Sequence, residues 1–223
     1  MTLLAIDTAT RWTGLALHDG TAVLVEQGWR AQYTQSVELS PAIATILQRA
    51  GLEPADLKGI AIALGPGSYT GLRIGLGVAK GLALAHHMPL IGVPTLDITA
   101  ASVDRGRVRG QLLAVAEAGR RRITVAPYEW QKRLWVATAE PYNTTWETLL
   151  PTLEQPTTLA GEISADAARL VRQAGRHLHL VNPASSVRRP ACLAELGWYR
   201  LRHKMIDDPR TLTPIYLRDP DGS

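Results

Sequence analysis

The sequence predicts an α/β fold built from two related halves. Three observations carry that expectation. The chain opens on strand-like segments in a meander and continues with alternating helical and strand patterns. A second meander, again followed by helical and strand patterns, comes after a basic seam at Asp104-Arg105-Gly106-Arg107. Between them a short apolar strand enters a Gly-Pro-Gly turn that opens an apolar helix.

In chain order, residues 3–7 read as a buried strand and 13–18 as a second. His18-Asp19-Gly20 makes a turn into a third strand over 22–28. Residues 34–50 read as a helix, because Leu39, Ile43, Ile46, Leu47 and Ala50 fall at three- and four-residue steps and Gly51 ends the run. A strand over 59–64, the glycine-bearing helix over 69–87, a short strand at 90–92 and a helix from Thr95 follow. Past the seam, 112–116, 123–128 and 134–138 form the second meander. Residues 143–150 and 164–174 read as helices with Asn143 and Ser164 as N-caps. A strand at 178–181 precedes one long helix over 183–204 interrupted by Pro190. The expected domains are 1–104 and 105–223.

A chain of 223 residues can bury a real core as one large domain or two small ones. Hydrophobic residues make up 46% and charged residues 20%, an ordinary soluble balance. The single Cys192 excludes an intramolecular disulfide and a cysteine-cluster metal site, which fits a reducing cytoplasm. The first residues lack the basic and apolar regions of a signal peptide, and no apolar run approaches the roughly 18 residues of a membrane span. Charge is uneven. The first 104 residues hold six Lys/Arg against eight Asp/Glu, and the remainder hold eighteen against twelve. Arginine clusters such as Arg120, Arg121 and Arg122 suit phosphate backbones, or simply a solvated surface.

Six of the nineteen glycines lie between Gly65 and Gly81. Each glycine inside a helix costs roughly 1 kcal/mol relative to alanine. Gly71, Gly75, Gly77 and Gly81 therefore imply a compensating close approach of another backbone. Gly71/Gly75 and Gly77/Gly81 are two small-x-x-x-small pairs, a spacing that admits such an approach. Between Gly71 and Ala85 only Arg73 and Lys80 are charged, and a helix apolar all round must be covered on both sides. A partner interface and a fully internal helix are the two readings.

The turn at Gly65 and Gly67 lacks the Lys-Ser/Thr of a P-loop and the third glycine of a dinucleotide fingerprint. It reads as turn geometry, with phosphate binding as the alternative. Asp7 and Thr8, after the first strand, are a degenerate candidate for the acidic half of a nucleotide site, or a structural cap on the hairpin. No histidine pair has metal spacing, Ser68 reads as an N-cap, and its flanks do not match a nucleophile elbow.

Four segments carry a family resemblance. They are Leu4-Ala5-Ile6-Asp7-Thr8-Ala9-Thr10, the stretch 65–84, Ile91-Gly92-Val93-Pro94-Thr95-Leu96 and Pro214-Ile215-Tyr216-Leu217-Arg218. Together they resemble the TsaB (YeaZ) family of bacterial tRNA threonylcarbamoyladenosine (t6A) biosynthesis. The resemblance implies two RNase-H-like lobes of the actin/Hsp70/sugar-kinase superfamily (ASKHA). It also implies a cytoplasmic, non-catalytic subunit that pairs with TsaD, which transfers threonylcarbamoyl to adenosine 37 of tRNA. TsaE is a further expected partner, tRNA is met through the complex, and a homodimer is expected when the chain is alone. No membrane partner, cofactor or metal is expected, with a nucleotide at the subunit junction left open. The contact would be a bundle of the first two helices, and we place Ser36, Ser40, Arg73, Leu76, Gly77 and Lys80 in it. The chain departs from the family at Tyr33, Tyr69 and Glu117-Ala118-Gly119, which leaves the role of the Arg120–Arg122 loop in tRNA contact open. The alternative function is a self-sufficient ATPase or kinase using Asp7 and the Gly65 turn.

Overall fold

The computed structural model describes residues 1–31, 34–119 and 121–217. Tyr33, Arg120 and Arg218 lie outside the described residues. Two compact units emerge, one of Met1–Thr95 with Arg189–Ile215 and one of Leu96–Arg188 with the chain end.

The first unit is a five-stranded sheet. Strands β1 (Thr2–Asp7), β2 (Trp12–His18) and β3 (Val23–Arg30) form the antiparallel meander. Strands β4 (Leu57–Ala63) and β5 (Leu90–Val93) then add in parallel, giving the order β3-β2-β1-β4-β5. Every residue of β1 is buried, so this central strand is covered on both faces. Leu4 and Ile6 join a core with Leu39, Ile43, Ile46 and Leu47 of helix α1 (Gln35–Arg49) and Leu76, Ala79 and Ala83 of helix α2 (Tyr69–Ala85). The register fixes this, since successive strand residues alternate faces and Leu3 and Ala5 must point the other way.

That opposite face is covered by the last helix of the chain. The expected helix over 183–204 is two helices. A four-residue turn, Pro183–Ser186, is followed by a separate helix, Pro190–Arg202. Pro190 occupies the first turn of the second helix, where its missing N–H costs no bond, so it starts the helix rather than interrupting it. Glu26 of β3 serves that helix end, accepting the Ala191 N–H at 3.1 Å and pairing with Arg189. The Arg189 guanidinium pKa is raised, first by its hydrogen bond to Glu26 and then by that carboxylate's charge. Gly197 lies so close to β4 that an added Cβ would collide with Ala61.

The second unit repeats the topology. Strands β6 (Gln111–Glu117), β7 (Arg122–Gln131) and β8 (Leu134–Ala137) form the meander, and β10 (Thr157–Gly161) and β11 (Leu178–Leu180) add in parallel beside β6. Strand β9 (Tyr142–Thr145) pairs with the start of β7. In chain order the helices are α3 (Thr95–Ala101), α4 (Trp146–Leu149), α5 (Ala165–Ala174), α6 (Pro183–Ser186) and α7 (Pro190–Arg202). Two cores flank this sheet. One gathers Leu96, Ala100, Leu112, Ala114 and Tyr128. The other gathers Leu113, Val115, Trp146, Leu159 and Val171.

Three expectations are corrected here. Residues 143–150 are not one helix. They continue β9 and then turn into α4, capped by Thr145, whose hydroxyl accepts the Thr148 N–H at 3.3 Å. Strand β10 is central and fully buried yet was not anticipated. The division at 104/105 also shifts: α7 belongs to the first unit and α3, from Leu96 on, to the second. Among the described residues no helix is long and apolar enough to cross a membrane.

Candidate functional site

The β1–β2 turn and the start of α2 are stitched together by groups of this chain. Asp7 is 1% exposed and its Oδ1 accepts the Ala9 N–H at 2.9 Å. The buried Thr8 hydroxyl donates to the Gly71 carbonyl at 2.8 Å. The Ser68 N–H donates to the Ala9 carbonyl at 2.6 Å, and the Ser68 hydroxyl caps the helix by accepting the Gly71 N–H at 3.3 Å. A Cβ at Gly67, Gly71 or Gly75 would run into Ala9 or Thr8. These glycines are therefore explained within the chain: they let the helix lie directly on the hairpin.

Gly65 has φ +112° and is held from two further sides. Its N–H donates to Thr95 Oγ1 at 3.0 Å and its carbonyl accepts the Thr95 N–H at 2.8 Å. A Cβ there would also meet the Ile215 carbonyl. The four residues read as a degenerate phosphate site, Asp7, Thr8, Gly65 and Gly67, thus spend their polar groups and open backbone on internal contacts.

The other glycine pair has a different setting. Gly77 and Gly81 are exposed, and an added Cβ at either would meet nothing within 4 Å. Around them lie exposed Arg73, half-buried Ile74, Val78 and Lys80, and Leu84, 50% exposed. Across on α1, Ser36, Ser40 and Ala44 are exposed at four-residue steps. The outer surface of the two helices is thus small-residued and partly apolar. Leu76 does not share it. It is 5% exposed and packs into the core with Ile43 and Ile62, because it lies on the buried side of α2 with Leu72, Ala79 and Ala83. The remaining five residues placed in the contact, Ser36, Ser40, Arg73, Gly77 and Lys80, all reach the outer side.

Tyr69 was not anticipated as part of this surface. Its ring lies beneath the Arg73 guanidinium, 4.8 Å from centroid to Cζ, and its hydroxyl accepts a hydrogen bond from that group. A cation over a tyrosine face is stabilised by about 0.5–1 kcal/mol at exposed sites. The i, i+4 spacing of the two residues was the available signal.

In the second unit the equivalent hairpin is a tight turn, with Gly119 at φ +69° and Arg121 at φ +64°. The Arg122 N–H donates to the Gly119 carbonyl at 2.8 Å. Arg121 is exposed and Arg122 half-buried, while Arg120 lies outside the described residues. A cavity of about 420 Å³ opens beside them, lined by Glu117, Glu147 and Asp166 as well as Arg121 and Arg122. The Glu147 carboxyl pKa is lowered by its own backbone N–H, the Thr145 hydroxyl and the charge of Arg121. This surface therefore mixes both signs.

Comparison with known proteins now adds the lineage. A family model described as TsaD, tRNA N6-adenosine threonylcarbamoyltransferase, matches residues 30–220. The tRNA threonylcarbamoyladenosine biosynthesis protein TsaB of Bacillus subtilis is 30% identical, covering 98% of this chain and 94% of that protein. TsaB of Escherichia coli is 38% identical over 58% of this chain and 55% of that protein. YeaZ of Pseudomonas aeruginosa superimposes with a TM-score of 0.80, covering 97% of this chain and 100% of that one at 22% identity, a likeness of fold. With two repeated RNase-H-like units of the ASKHA type and a full-length relative of this kind, the chain belongs to the TsaB (YeaZ) family of tRNA threonylcarbamoyladenosine biosynthesis proteins.

Proposed function

We propose that this chain is a non-catalytic scaffold subunit of t6A biosynthesis. Its α1–α2 surface pairs with TsaD, the subunit that transfers threonylcarbamoyl to adenosine 37 of tRNA. TsaE and tRNA then engage the assembled complex in the cytoplasm. One observation carries this reading: Gly77 and Gly81 have no neighbour that would exclude a side chain. Two exposed glycines in mid-helix are a standing cost of roughly 2 kcal/mol in total relative to alanine. Gly71 and Gly75 offset theirs against Thr8, whereas Gly77 and Gly81 have only an external backbone left to meet. The small side chains of Ser36, Ser40 and Ala44 on α1 leave room for the same approach.

The non-catalytic part of the reading is supported by the hairpin. Asp7 and Thr8 are turned to internal hydrogen bonds, and Ala9 occupies the space in front of Gly67 where an anion would lie. Phosphoryl transfer needs metal and clamp acting together on open ligand space.

The test is co-expression with the TsaD of the same cell, followed by size-exclusion chromatography. Gly77→Leu is expected to abolish co-elution while the isolated chain keeps its circular dichroism spectrum and melting transition, since open space lies above the new side chain. Co-elution undiminished by leucine at Gly77 would remove the interface from this face.

A further inference from the structure

The charge on the α1–α2 surface carries an inference about which partner it selects. Helix α2 contains two cations, Arg73 and Lys80, and no acidic residue along its length. Neither cation has an ion-pair partner among the described residues. Helix α1 contains one carboxylate, Glu38, and it is turned towards the meander, accepting the Trp29 indole N–H at 2.8 Å. That bond and one with Thr34, the larger influence, lower the Glu38 pKa and keep it ionised against β3. Arg73 is held in place by the Tyr69 ring and hydroxyl. The open glycine face is therefore flanked by cations alone, one of them anchored.

Self-pairing has a definite consequence on such a face. A two-fold symmetric contact brings the same patch of both copies together. An antiparallel crossing that seats Gly77 on Gly81 of the second copy sets the two Lys80 side chains beside each other. A crossing centred on Gly77 sets Arg73 beside Lys80 of the second copy, and a parallel crossing stacks like on like. Helix α2 has no carboxylate to relieve any of these. Juxtaposed like charges at an interface suppress the wrong partner more than they weaken the right one.

We propose that Arg73 and Lys80 make this surface selective for a different protein, one whose helical face has small residues at its centre and carboxylates at its edge. The same two cations act against the homodimer. This rests on the reading that the Gly77–Gly81 face is an interface, and it changes the expectation that the chain alone dimerises strongly through that face. A cation fixed before docking loses less conformational freedom when it meets its carboxylate, which makes Arg73 the primary selector.

The experiment follows self-association of the full chain by sedimentation velocity and its affinity for TsaD by titration, each at low and high salt. The variants are Arg73→Glu and the double change Arg73→Glu with Lys80→Glu. At low salt Arg73→Glu is expected to strengthen self-association about tenfold, because the new carboxylate meets Lys80 of the second copy, and to weaken TsaD binding about tenfold. The double variant is expected to return self-association to the wild-type level and to weaken TsaD binding further. High salt is expected to shrink all these differences. Self-association and TsaD affinity both unmoved by Arg73→Glu, with Gly77→Leu still abolishing the complex, would overturn the charge selection alone. A complex that survives Gly77→Leu would overturn the interface reading with it.

Discussion

Gly75 and Gly77 stand two residues apart in one helix and have opposite physical reasons to be glycine. At Gly75 an added Cβ would strike the Thr8 side chain, whose hydroxyl already donates to Gly71. At Gly77 it would enter open space. Gly75→Ala is therefore expected to destabilise the isolated chain by about 1–3 kcal/mol through overpacking. Gly77→Ala is expected to stabilise it by about 1 kcal/mol through helix propensity. Thermal melts should separate the two in opposite directions from wild type, by about 2–4 °C per kcal/mol. Parallel shifts would mean that α2 is not seated on the hairpin as described. A second residue sets a pH dependence. Asp19, in the turn between β2 and β3, accepts bonds from the Thr21 and Ala22 N–H groups and the Thr21 hydroxyl. The two backbone bonds lead in holding its carboxyl at about 2, below the ordinary 3.8. A depressed pKa means the stabilisation is fully present above the unfolded value and is lost as pH falls through about 2. Acid titration should show wild type more stable than Asp19→Asn near neutrality, the gap closing between about pH 5 and about pH 2. A gap independent of pH would assign the turn's stability to something other than this carboxylate.

At the scale of elements, α2 is two surfaces on one helix, and much of that was legible. At 100° per residue, Gly71 and Gly75 project with Leu72, Ala79 and Ala83, while Gly77 and Gly81 project with Thr70, Arg73 and Leu84. The same projection puts Leu76 inside. The repeated Gly-x-x-x-Gly spacing drew attention to pairs and hid their opposite directions. Strand β10 was illegible for another reason. Thr157 and Thr158 weaken its apolar signal, yet both are buried with their hydroxyls satisfied: Thr158 exchanges bonds with the Arg109 backbone at 2.8 and 2.9 Å. Bonded in this way, a threonine is a β-branched strand former at little desolvation cost. In α7, Pro190 was read as an interruption because the residues before it are polar and also turn-forming. Only the position of the Ala191 N–H against Glu26 shows that a helix begins there.

On the scale of the whole molecule, the helix after β5 packs with the second sheet and the helix after β11 with the first. A boundary drawn where composition changes cannot register such an exchange. It also predicts a specific failure. A fragment of residues 1–104 retains the first sheet but leaves the face of Leu3, Ala5 and Ala61 without α7. We expect it to bind a hydrophobic dye and to melt without a cooperative transition. Joining 189–215 to it through a flexible linker is expected to restore cooperative melting. A cooperative transition in 1–104 alone would show α7 to be dispensable to the unit.

Sequence alone determined the alternation of elements, the two-fold repetition of the plan, the hairpin residues and the family. Each is written in local periodicity, turn chemistry or a contiguous motif, which depend on neighbours a few positions away. Tertiary structure decided which glycines are spoken for and which face outward, where Leu76 goes, and which unit owns α3 and α7. Those outcomes depend on contacts between residues far apart in the chain, such as Thr8 on Gly71 and Ala61 on Gly197. Proximity of that kind exists only once the sheet has aligned its strands and the helices have settled on its faces.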